Sequence, residues 1–434
     1  MWQELFRVDA ITVAMAVLVA VVGVTVLRFS ATYMAGDPRR REYLQRMSIT
    51  IACVAIIVFA NHLVLLVAAW TGTSLALHGL LAFYRDRPVA VAVAHKKFIL
   101  ARCADAAMVG AIVAFAATFE TLRIDEIAAR AAASSSLPAG AQIGAVLVAF
   151  AAVLKCAQLP FHGWLIQVME APTPVSSLLH AGVVNLGGFV LLRLAPVVDG
   201  TVAARTLLVL VGTTTAVVAA LVMTTRVSVK VSLAWSTCAQ MGFMLVQCGL
   251  GLWEMALLHL LAHSLYKAHA FLRAGDTVRQ TQIRRLLAPA AAPTPTSIVR
   301  GALAAFVGVA VVAAVWAWLP FTSTPTPSLW VMAGIVALAV VPLVSSPLAA
   351  LAVPAAYFAL HELFAGIVPH AATTPTALLA VVAAAFLALF VVQSIITVDP
   401  THPFARRLHP WCFNGFAIDD AFTRVAFSVW APRT

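Results

Sequence analysis

Three titratable residues, His259, His263 and Lys267, recur at every fourth position in the run LWEMALLHLLAHSLYKAHAFLRAG. On a helix that spacing puts all three on one face, one per turn. Histidine titrates near neutral pH and burial draws a lysine down towards it, so such a file suits stepwise proton transfer. The competing reading is polar glue between helices. One histidine would favour glue; three aligned groups favour a relay. A metal at His259 and His263 would lack a carboxylate or thiol at matching spacing.

A second feature is Lys155, which opens KCAQLPFHGWLIQVMEAPTPVSSLLHAGVVNLGGFVLLR. A lysine inside a membrane helix costs about 2.5–3.5 kcal/mol on insertion scales. Pro160 follows five residues later and frees backbone carbonyls at about the same depth. An ionisable side chain beside a broken helix is how transporters build ion paths at mid-membrane. His180, six residues past Pro174, faces that break from the next helix. Lys155 has no acidic neighbour on its own helix, so Asp105 and Glu170 are its candidate counter-charges. Arg102 and Asp105 stand at i, i+3 and can pair with each other. Lys230 lies near the inner end of its helix, where it can snorkel, and on its own reads as structural. His361 and Glu362 are adjacent, so they point about 100° apart and do not form one site.

These residues need apolar helices to hold them. The chain has 434 residues, 62% hydrophobic and 10% charged, with a mean hydropathy of +0.97. That balance excludes a soluble domain and gives an all-α polytopic membrane protein. Hydropathy predicts about 13 spans: 9–33, 44–60, 62–84, 95–118, 141–170 (broken at Pro160), 174–196, 203–223, 228–249, 252–275, 298–319, 328–346, 348–368 and 374–397. The opening MWQELFRVDA lacks a basic n-region, so the first span reads as a retained helix. Segments 141–196 and 228–275 both carry a lysine on one helix and a histidine on the next, the pattern of an inverted repeat.

With the N-terminus outside, the inner loops hold 19 Lys/Arg and the outer ones four, Arg7, Arg123, Arg130 and Arg205. This positive-inside bias accounts for the +11 net charge without nucleic acid. Six cysteines without CxxC spacing read as apolar filler. A Pro-rich linker covers 288–297. The division is a transmembrane domain, 1–398, and a cytoplasmic tail, 399–434. Phe416, Ile418, Phe422, Val425 and Val429 give the tail an amphipathic helix for the inner surface or a partner.

The segments LKCAQLPFHGWLIQVMEAPTPVSSLLHAG, MTTRVSVKVSLAWSTCAQMGFM, HLLAHSLYKAHAFL, YMAGDPRRREYL and FNGFAIDDAFTRV resemble, in order, the antiporter-like proton-translocating subunits of respiratory complex I and multisubunit cation/proton antiporters. The resemblance implies that Lys155 is the broken-helix lysine, His180 the histidine after it and Lys230 the bridging lysine. It likewise implies that His259, His263 and Lys267 form the second-half file, and that Asp105 is an acidic residue near the first channel. Three departures stand out. The family's Trp-Glu-Gly reads Trp70-Thr71-Gly72, its two initial helices lack counterparts, and no lysine follows Lys267.

With those departures the chain looks most like the membrane subunits of the DAB inorganic-carbon accumulation complex. That resemblance implies a bacterial inner-membrane subunit conducting H⁺ or Na⁺. It also implies a large soluble DabA-like partner on the cytoplasmic side that holds zinc and does the catalysis. No cofactor is expected in this chain, and it is not itself expected to be an enzyme. A proton-pumping or Na⁺/H⁺ antiporter subunit of a respiratory complex and a passive membrane anchor are the alternatives.

Overall fold

A computed structural model describes residues 2–284 apart from Arg85, then Arg285, scattered positions within 296–310, 326–340, most of 356–368, and 374–430. Nearly all of the predicted linker 288–297 and much of the spans 298–319 and 348–368 lie outside the described residues. Among the described residues the chain is helical, with two isolated β-bridges, Phe6 to Ala60 and His62 to Arg123.

In order, the helices are α1 (Trp2–Leu5), α2 (Ala10–Tyr33), α3 (Arg40–Phe59), α4 (Leu63–Leu81), α5 (Pro88–Phe119), α6 (Ile124–Ala133), α7 (Ala139–Lys155), α8 (Gly163–Gln167), α9 (Thr173–Ala181) and α10 (Leu186–Arg193). They continue as α11 (Ala195–Asp199), α12 (Val202–Met223), α13 (Val229–Gly249), α14 (Trp253–Leu272), α15 (Ala274–Arg285), α16 (Pro327–Val340), α17 (Thr376–Val398), α18 (Pro403–Phe413) and α19 (Ile418–Val429). Among the described residues eight helical spans are long and apolar enough to cross a membrane, with α9 and α10 counted as one. The sequence count of 13 is therefore not reproduced in number. Helix α14 misses the eight although it has 20 residues, because three histidines and a lysine lower its hydropathy.

The turn at Asn61-His62 separates α3 from α4 as the sequence suggests. Its extended backbone is satisfied from both sides, by Asn61 N to Leu5 O at 2.8 Å and Ile124 N to Asn61 O at 2.7 Å. Helix α2 starts at Asp9, whose carboxylate accepts the Thr12 amide at 2.8 Å. The same carboxylate pairs with Arg193 at the end of α10, also at 2.8 Å. Burial works against the charged Asp9 carboxyl, but the Thr12 amide and the Arg193 guanidinium outweigh it and hold its pKa below the usual value. Helices α12 and α13 meet backbone to backbone. A Cβ on either Gly212 or Gly242 would lie 2.6 Å from the other's carbonyl oxygen, so glycine sets that approach.

Both helices of the Lys155–Arg193 stretch are broken. Helix α7 ends at Lys155 itself, and the interruption runs to His162. Pro160 has no amide proton, and its ring would clash with the carbonyl four residues back, that of Cys156. That carbonyl is instead capped by Gln158 Nε2 at 2.8 Å. The second break, at Gly182, was not expected. There Asn185 Nδ2 caps the Ala181 carbonyl at 3.0 Å. Each break is thus sealed by a side-chain amide from within the motif, as a buried carbonyl requires.

Candidate functional site

Helix α7 delivers Lys155 to the side faces of α4 and α5. The side chain is buried at 6% exposure. Its Nζ donates to Ser74 Oγ at 3.0 Å and sits 4.2 Å above the Trp70 ring. Trp70 and Ser74 are one turn apart on α4, so they present one floor to the amine. The Trp70 contact is a cation–π interaction, with the amine over the ring face. Lys97 reaches the same place from α5, donating its Nζ to the Ser74 carbonyl at 2.8 Å.

Of the two candidate counter-charges, Asp105 does not close on Lys155. Asp105 approaches Arg102 at 2.7 Å on α5, although neither side chain is aligned for a hydrogen bond. No hydrogen bond or ion pair joins Asp105 to Lys155 among the described residues. The side chain of Glu170 lies outside the described residues, while its backbone closes a short 3₁₀ turn, Val168–Glu170.

A second cluster is carried by α14. His263 and Lys267 are buried, and His259 is half-buried. The rings of His259 and His263 are 5.8 Å apart, and His259 Nδ1 is 3.1 Å from Gln247 Oε1 of α13. Lys267 donates to the Leu233 carbonyl at 3.0 Å. His180 of α9 stacks on Phe271, one turn past Lys267, with centroids 4.3 Å apart. The face therefore continues from His259 to His180. Both nitrogens of His180 and of His263 make no hydrogen bond among the described residues. Helices α9 and α14 are held in register nearby by Asn185 Nδ2 to Ser264 Oγ at 2.7 Å.

The two clusters stay separate. No hydrogen bond, ion pair or ring contact joins Lys155 to His180 among the described residues. Next to Lys155, Cys156 packs on Gly187 of α10 and its Sγ donates to the Val184 carbonyl at 3.1 Å. Lys230, expected as the bridge, is half-exposed on the first turn of α13 and makes no ion pair or hydrogen bond among the described residues. His361 lies 3.2 Å from Glu254, at the opposite end of α14 from Lys267.

Sequence reasoning gave the basic pair Lys96-Lys97 no role, counting both among the inner-loop charges although they fall at the edge of the predicted span 95–118. Helix α5 starts at Pro88 and runs 32 residues. At 1.5 Å per residue that is about 48 Å, against a hydrocarbon core of about 30 Å. The proline, well placed at a helix start, was the available signal that both lysines lie inside the helix.

Lys96 is fully buried. Its Nζ bonds Asp419 Oδ2 at 2.9 Å, Gln167 Oε1 at 3.0 Å and Thr423 Oγ1 at 2.7 Å. The tail helix α19 thereby packs on α5 and on the segment after the break, where Asp419 occupies the space that a Cβ on Gly163 would need. Farther along, Trp430 stacks on His95 with centroids 3.7 Å apart.

A family model described as NADH:quinone oxidoreductase/Mrp antiporter, transmembrane, matches residues 60–292. A second, for the N-terminus of complex I chain 5, matches residues 5–44. Two similar proteins are probable inorganic carbon transporter subunits. DabB of Hydrogenovibrio crunogenus is 49% identical over 286 residues, 66% of this chain and 55% of its own length. DabB2 of Halothiobacillus neapolitanus is 36% identical over 453 residues, 98% of this chain and 81% of its own length. NADH-quinone oxidoreductase subunit L of Mycobacterium tuberculosis is 34% identical over 63% of this chain and 43% of its own length. The chain thus spans about half the length of several curated relatives it matches. Among solved structures, the Mrp complex from Dietzia sp. DQ12-45-1b superimposes with a TM-score of 0.66 and 25% identity, covering 98% of this chain and 52% of that one.

Proposed function

The chain belongs to the NADH:quinone oxidoreductase/Mrp antiporter family, and on that premise we propose that it is the membrane subunit of an inorganic-carbon uptake complex. In this reading it conducts H⁺ or Na⁺ across a bacterial inner membrane, with the N-terminus outside and the tail cytoplasmic. Lys155, at the break between α7 and α8, is the switching group. His180, Lys230 and the file His259, His263 and Lys267 carry the cation onward. The current energises a large soluble DabA-like subunit docked on the cytoplasmic side, which holds zinc and performs the carbon chemistry. Residues 1–398 form the conducting domain and 399–434 the tail that faces the partner.

The observation that carries this reading is similarity running nearly end to end with an inorganic-carbon transporter subunit. The geometry supports it through a buried lysine at a helix break that no carboxylate among the described residues neutralises by contact, so the group can change charge during a cycle. The test is purification of the tagged chain in mild detergent, followed by mass measurement of its partners and assay of bicarbonate uptake in the expressing cells. One large zinc-containing partner and uptake abolished by collapsing the cation gradient are expected. Uptake indifferent to the gradient would overturn the reading.

A second reading, a subunit of a respiratory or antiporter complex, is favoured by the similarity to subunit L and the Mrp structure. It predicts co-purification with several small membrane subunits and redox- or sodium-dependent activity.

A further inference from the structure

Helices α4 and α5 place a second line of titratable groups against Lys155, apart from the α14 file. Ser74 is its inner end, receiving Lys155 Nζ on its hydroxyl at 3.0 Å and Lys97 Nζ on its carbonyl at 2.8 Å. One turn farther along α4 is His78, whose Nδ1 lies 3.2 Å from the Ala94 carbonyl of α5. The His78 and His95 rings stack with centroids 6.2 Å apart. His95 in turn lies flat under Trp430 of the tail, at 3.7 Å and 14°. Burial falls along this line. Lys155 and Lys97 are buried, His78 and His95 half-buried, and Trp430 is 39% exposed.

We propose that His95, His78, Lys97 and Ser74 form an access route by which protons reach Lys155 from the tail side of the membrane, with Trp430 covering its mouth. This rests on the reading of Lys155 as the switching group. Two amines meet on one serine, Lys155 at its hydroxyl and Lys97 at its carbonyl, and among the described residues no carboxylate bonds either. Two like charges that close in a dry interior repel strongly, so the pair carries one proton between them more readily than two. In a transfer step the Lys97 ammonium swings from the Ser74 carbonyl, where it rests, to the Ser74 hydroxyl and gives it a proton as that hydroxyl's own proton passes to the neutral Lys155 amine. The serine is regenerated and one positive charge has moved from Lys97 to Lys155. Lys97 is refilled from His78, and His78 from His95. The other charged groups around the line are Arg46 of α3 near His78, and Arg102 and Asp105 of α5 near both lysines.

The chain contains only five lysines, Lys96, Lys97, Lys155, Lys230 and Lys267, so lysine-labelled NMR can resolve the Lys155 amine in the full chain. The protein is reconstituted in one orientation in sealed vesicles, and the pH on each side is stepped separately. In the wild type the Lys155 charge state is expected to follow a step on the tail side. With Lys97→Gln or Ser74→Ala that response should slow at least tenfold. Ser74→Thr, which keeps the hydroxyl, should respond as the wild type does. Trp430→Ala should quicken the response. A Lys155 that follows tail-side pH equally fast in Lys97→Gln and Ser74→Ala overturns the route, as does one that follows only the opposite side. This readout needs no carbon uptake. Failure of uptake with the route intact counts against the proposed function alone.

Discussion

Asp419 and Lys96 meet at 2.9 Å although 323 residues separate them in the chain. The Lys96 side chain is 1% exposed and that of Asp419 20%. The pair fixes the tail helix α19 to the first turns of α5 and, through Gln167 Nε2 to Asp419 Oδ2 at 2.8 Å, to the segment beyond the helix break. Removing one partner leaves a buried charge alone, a loss of about 3–5 kcal/mol for fully buried pairs. Asp419 keeps some exposure, so Asp419→Ala should fall at the lower end of that range. We expect faster proteolytic release of the tail and a lower thermal midpoint in detergent. The double variant Lys96→Met, Asp419→Leu should recover most of the loss, because an apolar pair of similar volume needs no desolvation.

Lys155 gives the opposite expectation. Among the described residues it bonds a serine and a tryptophan face but no carboxylate, so its removal orphans no opposite charge there. Lys155→Met should assemble normally and melt within about 1 kcal/mol of the wild type, or above it. Gradient-driven uptake should fall to background, and carbon-dependent growth with it. Unimpaired uptake in a correctly assembled Lys155→Met would remove this residue from the ion path.

How much of this was visible in the residues varies with the kind of force involved. The all-α membrane class, the broken helix and the His259–His263–Lys267 face follow from hydropathy, proline chemistry and a four-residue period, which act locally. The separation of the Lys155 and α14 clusters does not. It depends on how α9 and α10 pass between them, and the break at Gly182 that shapes this passage has only one glycine among several as its signal. The Ser74 floor under Lys155 and the Asp419 clasp on Lys96 are contacts across 81 and 323 residues. No periodicity encodes such pairs. The tail's apolar stripe announced a surface to be covered, and the fold covers part of it with the chain's own Phe161, whose ring meets Phe422 edge-on at 5.8 Å.

Asp199, between α10 and α12, supplies a pH dependence. Burial raises its pKa from 3.8 to about 7, against the hydrogen bond from Trp253 and the charge of Arg205. Its carboxylate accepts Trp253 Nε1 at 2.8 Å. A carboxyl with a raised pKa binds its proton more tightly in the fold than when unfolded. Its contribution is therefore fully present below about pH 4 and lost as the pH rises through about 7. Thermal stability in detergent should decline over that window by an amount on the order of a few kcal/mol. Asp199→Asn, which keeps the acceptor for Trp253 without the charge, should flatten the decline. An unchanged pH slope in that variant would assign it to other groups.

His180 and His263 separate the relay from the structural alternative. Each is buried, and neither ring makes a hydrogen bond among the described residues. A buried polar group without a partner costs the fold about 1–3 kcal/mol. Polar glue between helices would require the opposite, nitrogens engaged across the α9–α14 contact, as Asn185 and Ser264 are at 2.7 Å. Replacing His180 by Phe keeps the flat stack on Phe271 and removes the unpaired nitrogens, and His263→Leu does the same within α14. Both variants should therefore melt at or above the wild-type temperature, while cation flux across reconstituted vesicles drops at least tenfold. Asn185→Leu should behave in reverse, losing about 1 kcal/mol or more of stability as the Ser264 and Ala181 contacts go. If the two histidine variants instead destabilised the protein and kept their flux, the histidines would be packing elements and the path would have to run elsewhere.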